Sequence, residues 1–313
     1  MVDNTYDRLI KTTIAEKIMN KSFVNFDMGY FSTVFNDKRN SREKLDPEFV
    51  KFYKYAKDGS GIVSTKYNSK NKVTARMFTE KGFPNFITLS NNEVIRSIKS
   101  RYNKSGCFAL MDYSNFEYKI IRKILKLNDF PDDFHNESAL LLGVDRDIVK
   151  KLNNMVFYGE INNNWKNNLS KYLSKTSEEN LKKYLYYIKE IKSSTRDLLT
   201  EKNKEYETNG FVLNYYGRKI YPNNQKDIFN NIVQSTGSEI LIDAIINIDN
   251  YIANKNIHFM FHRFDSIFFD CEIEQLKKDL ETIISLMELA CETIPQSVKT
   301  KVGKSLLNMK EIT

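Results

Sequence analysis

The chain has 313 residues, of which 41% are hydrophobic and 28% charged, so it can form one large or two modest domains with buried cores. Its formal net charge of +8 and its pI of about 9.0 favour a polyanionic partner. Three scattered cysteines argue against a disulfide framework, and no apolar run is long enough for a transmembrane helix or a signal peptide. The composition therefore predicts a cytoplasmic protein without membrane contact.

The N-terminal third is predicted to begin with helices, because apolar residues recur at helical spacing in Ile10–Ile18 and Phe49–Tyr55. Strand-like stretches follow at Ile62–Tyr67 and Val73–Phe78. A short apolar run then leads into Asp112, which predicts a buried strand that ends in a carboxylate.

The middle of the chain is predicted to be mostly helical. Ser114–Leu127 places its large apolar residues on one side of a helix, and residues 135–205 continue as helices. Breaks are expected near Gly143, near Gly159 and in the Asn-rich stretch Asn162–Asn168.

The C-terminal third is predicted to add a second part of the sheet. Its elements are, in order, strand-like residues in Gly210–Pro222, a helix in Asn230–Ile252, a strand pair in Ile257–Cys271 with Asp265 in its turn, an amphipathic helix in Glu272–Leu289, and a strand in Ser297–Val302. Helices together with a small antiparallel sheet predict an α+β fold.

Two of the predicted strand ends carry aspartates, Asp112 and Asp265. Phosphoryl transfer requires positioned metal ions, and two carboxylates can hold two Mg²⁺ ions about 3.5–4 Å apart. Spacing alone does not establish such a site, because many aspartates end strands.

The sequence around both aspartates resembles the carboxylate motifs of family A DNA polymerases. The segment from Asp112 to Glu117, Asp-Tyr-Ser-Asn-Phe-Glu, is similar to the family pattern Asp-Tyr-Ser-Gln-Ile-Glu, and Phe261–Ser266 resembles the Val-His-Asp-Glu motif. The resemblance implies that Asp112, Asp265 and a backbone carbonyl near Tyr113 bind two Mg²⁺ ions, with Mn²⁺ as an alternative. It also implies that Glu117 excludes the ribose 2′-hydroxyl.

A helix between these motifs carries the residues expected to bind the nucleotide. Arg146, Lys150, Asn154 and Tyr158 follow one another at intervals of four, which keeps them on one helix face. The resemblance, which also covers the segment around His135, implies that His135, Arg146 and Lys150 bind the triphosphate. Lys150 would stabilise negative charge on the leaving group, and Tyr158 would stack near the templating base. Asn154 stands where the family has an aromatic residue.

A further set of residues is implied by the resemblance to contact the primer-template. Asn230 and Gln234, four apart on a helix, match family residues that read the minor groove, whose acceptors are common to correct base pairs. The complete set is Arg76, Asn85, Arg218, Asn230, Gln234 and His262.

The resemblance implies a right-hand polymerase fold, with the aspartates on a small antiparallel palm sheet. Residues 1–60 would form a helical segment that is a reduced thumb or a docking element, 61–132 and 206–313 the palm, and 133–205 mostly helical fingers. The family's exonuclease domain is expected to be absent, and the thumb is expected to be reduced or absent. A compact viral or phage-like enzyme is therefore expected, working in a bacterial host or a virus-infected cell with a subunit that supplies the thumb, an exonuclease or processivity.

The sequence thus predicts a DNA polymerase that copies a DNA primer-template with dNTPs. Two alternatives remain open. One is a catalytically inactive polymerase fold kept as a nucleic-acid-binding subunit. The other is a single-subunit RNA polymerase or primase-like synthase. Ser266 favours this alternative, because phage-type RNA polymerases also have Asp-Ser in the second motif, whereas Glu117 argues against it.

Overall fold

The computed structural model describes residues 2–159, 167, 169–170 and 176–312. Most of the Asn-rich stretch at 162–168, where a helix break was predicted, lies outside the described residues. The chain divides into two compact units. Unit 1 comprises Met1–Asn4, Lys72–Thr74 and Asn115–Thr236, and unit 2 comprises Thr5–Asn71, Ala75–Ser114 and Gly237–Thr313.

Unit 2 begins with three helices, α1 (Thr5–Met19), α2 (Met28–Asn40) and α3 (Pro47–Asp58). Aspartates cap the last two, because the side chains of Asp27 and Asp46 accept hydrogen bonds from amides in the first helical turn. These helices confirm the helical prediction for the N-terminal segment, although a short strand between α1 and α2 was missed.

Several short strands surround these helices. β1 (Val24–Phe26) pairs antiparallel with β2 (Ile62–Val63) and β5 (Ile98–Lys99), β3 (Tyr67–Asn68) pairs with β4 (Phe78–Thr79), and α4 covers Asn92–Arg96. The predicted strand at Ile62–Tyr67 is confirmed for half of its residues, whereas the one at Val73–Phe78 is wrong except at Phe78. Ala75 has a φ of 56°, in the left-handed region that a strand does not accommodate.

The main sheet of unit 2 has five antiparallel strands in the order β12-β11-β6-β10-β9. They are β6 (Gly106–Tyr113), β9 (Ile257–Arg263), β10 (Ser266–Glu272), β11 (Val298–Gly303) and β12 (Lys310–Ile312), and α10 (Ile273–Glu288) follows β10. The central strand β6 is almost entirely buried and pairs with β10 and β11. The predicted hairpin with Asp265 in its turn and the α+β fold class are confirmed.

Within unit 2, a buried ion-pair network joins α1 to the part of α9 (Ile228–Ile252) that follows Thr236. The guanidinium of Arg8 contacts the Glu239 carboxylate at 2.5 Å and the Asp243 carboxylate at 2.9 Å. The side chain of Lys11 is half-exposed, and its Nζ lies 2.9 Å from Asp243 Oδ1. Desolvation alone would lower the pKa of Arg8, but the two carboxylates outweigh it and raise that pKa. The network therefore holds α1 against α9.

Unit 1 is mainly helical, with α5 (Phe116–Ile124), α6 (Phe134–Leu142), α7 (Arg146–Tyr158) and α8 (Glu178–Asn209), followed by the two-stranded β7 (Val212–Leu213) and β8 (Lys219–Ile220). Gly143 ends α6 with a φ of 62°, so the predicted break there has a physical cause. Aromatic side chains fill the space between the helices, among them Tyr118, Phe134, Phe157 and Tyr184. Across the described ranges, no helix is both long and apolar enough to cross a membrane.

Candidate functional site

Unit 2 brings the two predicted aspartates to adjacent backbone positions. Asp112 is the register partner of Ser266 across β6 and β10, and the amide of Tyr113 donates to the Asp265 carbonyl at 3.3 Å. Both aspartates are half-buried at the end of the strand pair. The β9–β10 hairpin therefore delivers Asp265 beside the strand end that carries Asp112.

The Tyr113 side chain fixes the end of β6. Its hydroxyl donates to the backbone carbonyl of Met287 in α10 at 2.9 Å, and burial raises the pKa of Tyr113 so that the phenol stays protonated. The phenol is thus buried and hydrogen-bonded inside the protein. The role predicted for Tyr113 in metal binding therefore depends on its backbone carbonyl.

The donor chemistry at this strand end suits a hard cation. Within the part of the chain that the structure describes, no group of three or more His, Cys, Asp or Glu side chains is placed to hold a metal. Two aspartates and a backbone carbonyl form an all-oxygen set, and Mg²⁺ prefers oxygen ligands and commonly completes its shell with water and substrate phosphate. The available residues therefore fit Mg²⁺ and do not fit a thiolate-bound metal.

In unit 1, helix α7 presents the predicted stripe. Lys150 is exposed, and Arg146, Asn154 and Tyr158 are partly exposed, whereas Val149 and Leu152 between them are buried. All four residues of the stripe are therefore accessible on an amphipathic helix, although three of them are only partly so.

Arg146 is held in place by two residues to which the sequence analysis assigned no role. Its Nη2 donates to Asn115 Oδ1 at 2.6 Å and lies 3.2 Å from Asp133 Oδ2. Desolvation alone would raise the pKa of Asp133, but hydrogen bonds from Asn115 and the Asn136 amide, together with Arg146, lower it. Asp133 lies two positions before His135, at the start of the segment that resembles the family. That position is the feature of the sequence that could have pointed to Asp133.

Glu117 and Tyr158 join α5 to α7. The Tyr158 hydroxyl donates to Glu117 Oε2 at 3.1 Å, and both side chains are partly exposed. The two residues predicted to contact the sugar and the templating base are thus directly coupled, which fixes the orientation of the Glu117 carboxylate.

His135 is 4% exposed and its ring packs near Tyr118 and Phe157. Burial, with smaller contributions from Arg146 and Lys150, lowers the pKa of His135 to about 4. The imidazole is therefore neutral near pH 7, so it binds an anion only as a hydrogen-bond donor and not as a cation.

Asn230 and Gln234 stand out on α9, because they are partly exposed among neighbours that are nearly all buried. Gln234 Nε2 donates to Asn230 Oδ1 at 2.9 Å. The predicted pair therefore lies on one helix face with its amides linked.

The other residues predicted to bind the primer-template are placed less favourably. The Arg76 guanidinium lies 5.5 Å from the Phe264 ring centre, in the turn that carries Asp265. Asn85 Oδ1 accepts bonds from the Thr79 hydroxyl and from a nearby backbone amide, which stabilises its own loop. Arg218 and His262 are only 4% and 3% exposed, so the structure does not bring either to the surface.

Comparison with known proteins gives a family and a fold. The family model of DNA polymerase family A matches residues 38–308. Comparison with curated protein sequences finds no match. Among solved structures, the POL domain of Pol1 from M. smegmatis, in complex with DNA primer-template and dNTP, is similar with a TM-score of 0.64 and 17% identity. The match covers 82% of this chain and 50% of that chain, so this chain spans half the length of that structure.

Proposed function

Because the chain belongs to DNA polymerase family A, we propose that it is a template-directed DNA polymerase that adds dNTPs to a primer 3′-hydroxyl. The observation that carries the proposal is the adjacency of Asp112 and Asp265 at the end of the β6–β10 pair. Ser266 supplies no further carboxylate, and its hydroxyl donates to the Arg263 carbonyl within the hairpin. In this proposal, Asp112 and Asp265 are therefore the two carboxylates that bind the metal ions.

We propose that Asp112, Asp265 and the backbone carbonyl of Tyr113 hold two Mg²⁺ ions, with Mn²⁺ as an alternative. When bound, such ions lower the pKa of the attacking hydroxyl and neutralise charge on the leaving pyrophosphate. The carboxylates position the ions, and the anchored Tyr113 keeps the strand end in one conformation.

In the proposed reaction, Arg146, Lys150 and His135 bind the triphosphate. Lys150 is the exposed cation of the stripe and stabilises the charge that develops on the leaving group. Arg146 exchanges its contact with Asp133 for a phosphate oxygen, since both partners of that ion pair are accessible. Asn154 and Tyr158 line the same face beside the sugar and the templating base.

The amides of Asn230 and Gln234 are proposed to contact the minor groove at the primer end. Arg76 and Asn85 are proposed to contact the primer-template as well, and the roles of Arg218 and His262 remain predictions that require their side chains to become accessible. The net charge of +8 supports sequence-independent binding to phosphates, which weakens as salt increases. A partner subunit that adds grip on the duplex is part of this proposal, so the isolated chain is expected to add few nucleotides per binding event.

Primer extension by the full chain tests the proposal. With Mg²⁺ and a DNA primer-template, the chain is expected to add the complementary dNTP in preference to the other three, and addition should stop when EDTA removes the metal. Extension with rNTPs only would favour the RNA synthase. Salt-sensitive DNA binding without extension in either Mg²⁺ or Mn²⁺ would favour the inactive nucleic-acid-binding subunit.

Glu117→Ala is expected to relax the choice of sugar. Removing the carboxylate opens space for the ribose 2′-hydroxyl, and discrimination by one small group in a pocket corresponds to about 10–200-fold. The ratio of kcat/KM for dNTP over rNTP should fall by about that factor in single-nucleotide extension. Tyr158→Phe, which removes only the hydroxyl bonded to Glu117, should lower the ratio less.

The matched control for this prediction is Glu201→Ala, an exposed glutamate on α8. It should leave the dNTP/rNTP ratio unchanged. Equal ratios for the wild type and Glu117→Ala would show that another residue selects the sugar.

A further inference from the structure

Four polar side chains form a buried cluster inside unit 1. Asn153, a buried residue of α7 three positions after Lys150, has its Nδ2 3.1 Å from His135 Nδ1 and 3.2 Å from Ser138 Oγ, and its Oδ1 lies 3.0 Å from the Tyr184 hydroxyl. Asn153, Ser138 and Tyr184 are fully buried. Asn153 is thus the centre of the cluster and joins α7 to α6 and α8.

The positions of the protons in this cluster follow from Tyr184. Burial raises the pKa of Tyr184, so the phenol keeps its proton and needs an acceptor. Within the described ranges, Asn153 Oδ1 is the acceptor that the structure gives it. A flipped amide would turn Nδ2 toward the phenol and leave the hydroxyl proton buried without a partner, which is unfavourable. The amide nitrogen of Asn153 therefore faces Ser138 and His135.

We propose that Asn153 is a positioning residue that holds His135 in the neutral tautomer with the proton on Nε2. With Asn153 Nδ2 as the donor, His135 Nδ1 must accept and cannot carry a proton. Nε2 then becomes a donor with a fixed direction. The use of that donor, a hydrogen bond to a phosphate oxygen of the dNTP, rests on the proposed function.

The surroundings of His135 agree with a neutral donor. Burial is the largest cause of its lowered pKa, Arg146 and Lys150 lower it further, and Asp133 acts in the opposite direction. The rings of Tyr118 and Phe157 flank the imidazole and carry no charge at neutral pH. Among the described residues, Nε2 of His135 has no hydrogen-bond partner. Both ring nitrogens of His262 are fully buried without a partner, whereas Nε2 of His135 is not among such atoms. Nε2 is therefore the polar atom that His135 offers to a ligand.

Nitrogen-15 NMR of the full chain reads the tautomer directly, since the chain has only three histidines and His135→Gln identifies the signal. The wild type at pH 7 should show an unprotonated Nδ1 and a protonated Nε2. Asn153→Asp, which offers a carboxylate of similar shape, should move the proton to Nδ1. Tyr184→Phe frees the amide to flip and should give a mixture of tautomers, whereas Ser138→Ala should leave the Nε2–H form unchanged.

Kinetics supplies the second measurement. Loss of one hydrogen bond to a charged phosphate corresponds to about a tenfold rise in KM for dNTP, with kcat nearly unchanged if the contact is equal in ground and transition states. Asn153→Asp should show this rise and Ser138→Ala should not. An Nδ1–H imidazole in an active wild type would overturn the role of Asn153 alone. An Nε2–H imidazole in a wild type that extends no primer would contradict the proposed function alone, because the NMR measurement requires no activity.

Discussion

Asp265→Asn is expected to reduce the rate of dNTP addition by at least about a thousandfold, because loss of a charged ligand from the proposed metal site would remove several kcal/mol of transition-state stabilisation. The amide keeps the size of the side chain and lacks the negative charge that a divalent ion needs. Asp112→Asn should have an effect of the same order, since both aspartates lie at the end of the same strand pair. Single-turnover primer extension at saturating Mg²⁺ and dNTP measures the loss.

A matched control separates chemistry from folding. Asp37→Asn changes an exposed aspartate on α2 in the same unit and should retain full activity. The DNA affinity of Asp265→Asn should stay near that of the wild type, as should its urea midpoint, because the side chain lies in a two-residue hairpin turn and not in the core. Extension within about tenfold of the wild type would remove Asp265 from the proposed metal site.

Arg8→Ala is expected to lower the free energy of unfolding of the chain by about 3–5 kcal/mol, the usual cost of removing one partner from a buried ion pair. Glu239 is fully buried and would lose the guanidinium that contacts it, and among the described residues Asp243 would keep its ion pair with Lys11. Urea denaturation followed by circular dichroism measures the shift of the midpoint.

Two further variants identify the cause of that loss. Lys11→Ala removes a half-exposed partner of Asp243 and should cost less than about 1 kcal/mol. Adding Glu239→Gln to Arg8→Ala removes the carboxylate charge that has lost its guanidinium partner. The double variant should therefore lose less free energy of unfolding than the sum of the losses in the two single variants. Strict additivity would show that Arg8 acts through packing of its methylene groups and not through its charge.

The sequence was most informative where chemistry and periodicity coincide. The β9–β10 hairpin follows from two apolar runs on either side of Asp265, and the accessible stripe of α7 follows from the interval of four between Arg146, Lys150, Asn154 and Tyr158. The family resemblance, which the family model confirms over residues 38–308, supplied the assignment of roles.

What the sequence did not predict depends on tertiary packing. Asn153 and Asn154 are adjacent and chemically identical, and only the packing of α7 against α6 and α8 buries the first and leaves the second partly exposed. Arg218 and His262 matched family positions, but a residue's place in a motif does not reveal its exposure. Asn115 contacts Arg146 across 31 positions of the chain, a separation that no local pattern reveals.

The central position of β6 has a consequence for the synthesis of the protein. β6 ends at Tyr113, and its two neighbours in the sheet start at Ser266 and Val298, so no sheet partner exists until the ribosome has made most of the chain. Nearly all of β6 is apolar and buried in the finished sheet, and an unpaired strand of this kind is prone to aggregate. The segment of unit 1 between residues 115 and 236 is made before β10 and is mainly helical over its described residues. Helical hydrogen bonds are local and form faster than long-range strand pairs. The nascent chain is therefore expected to form the helices of unit 1 first and to need protection of β6, by chaperones or by slow release, until β10 and β11 emerge.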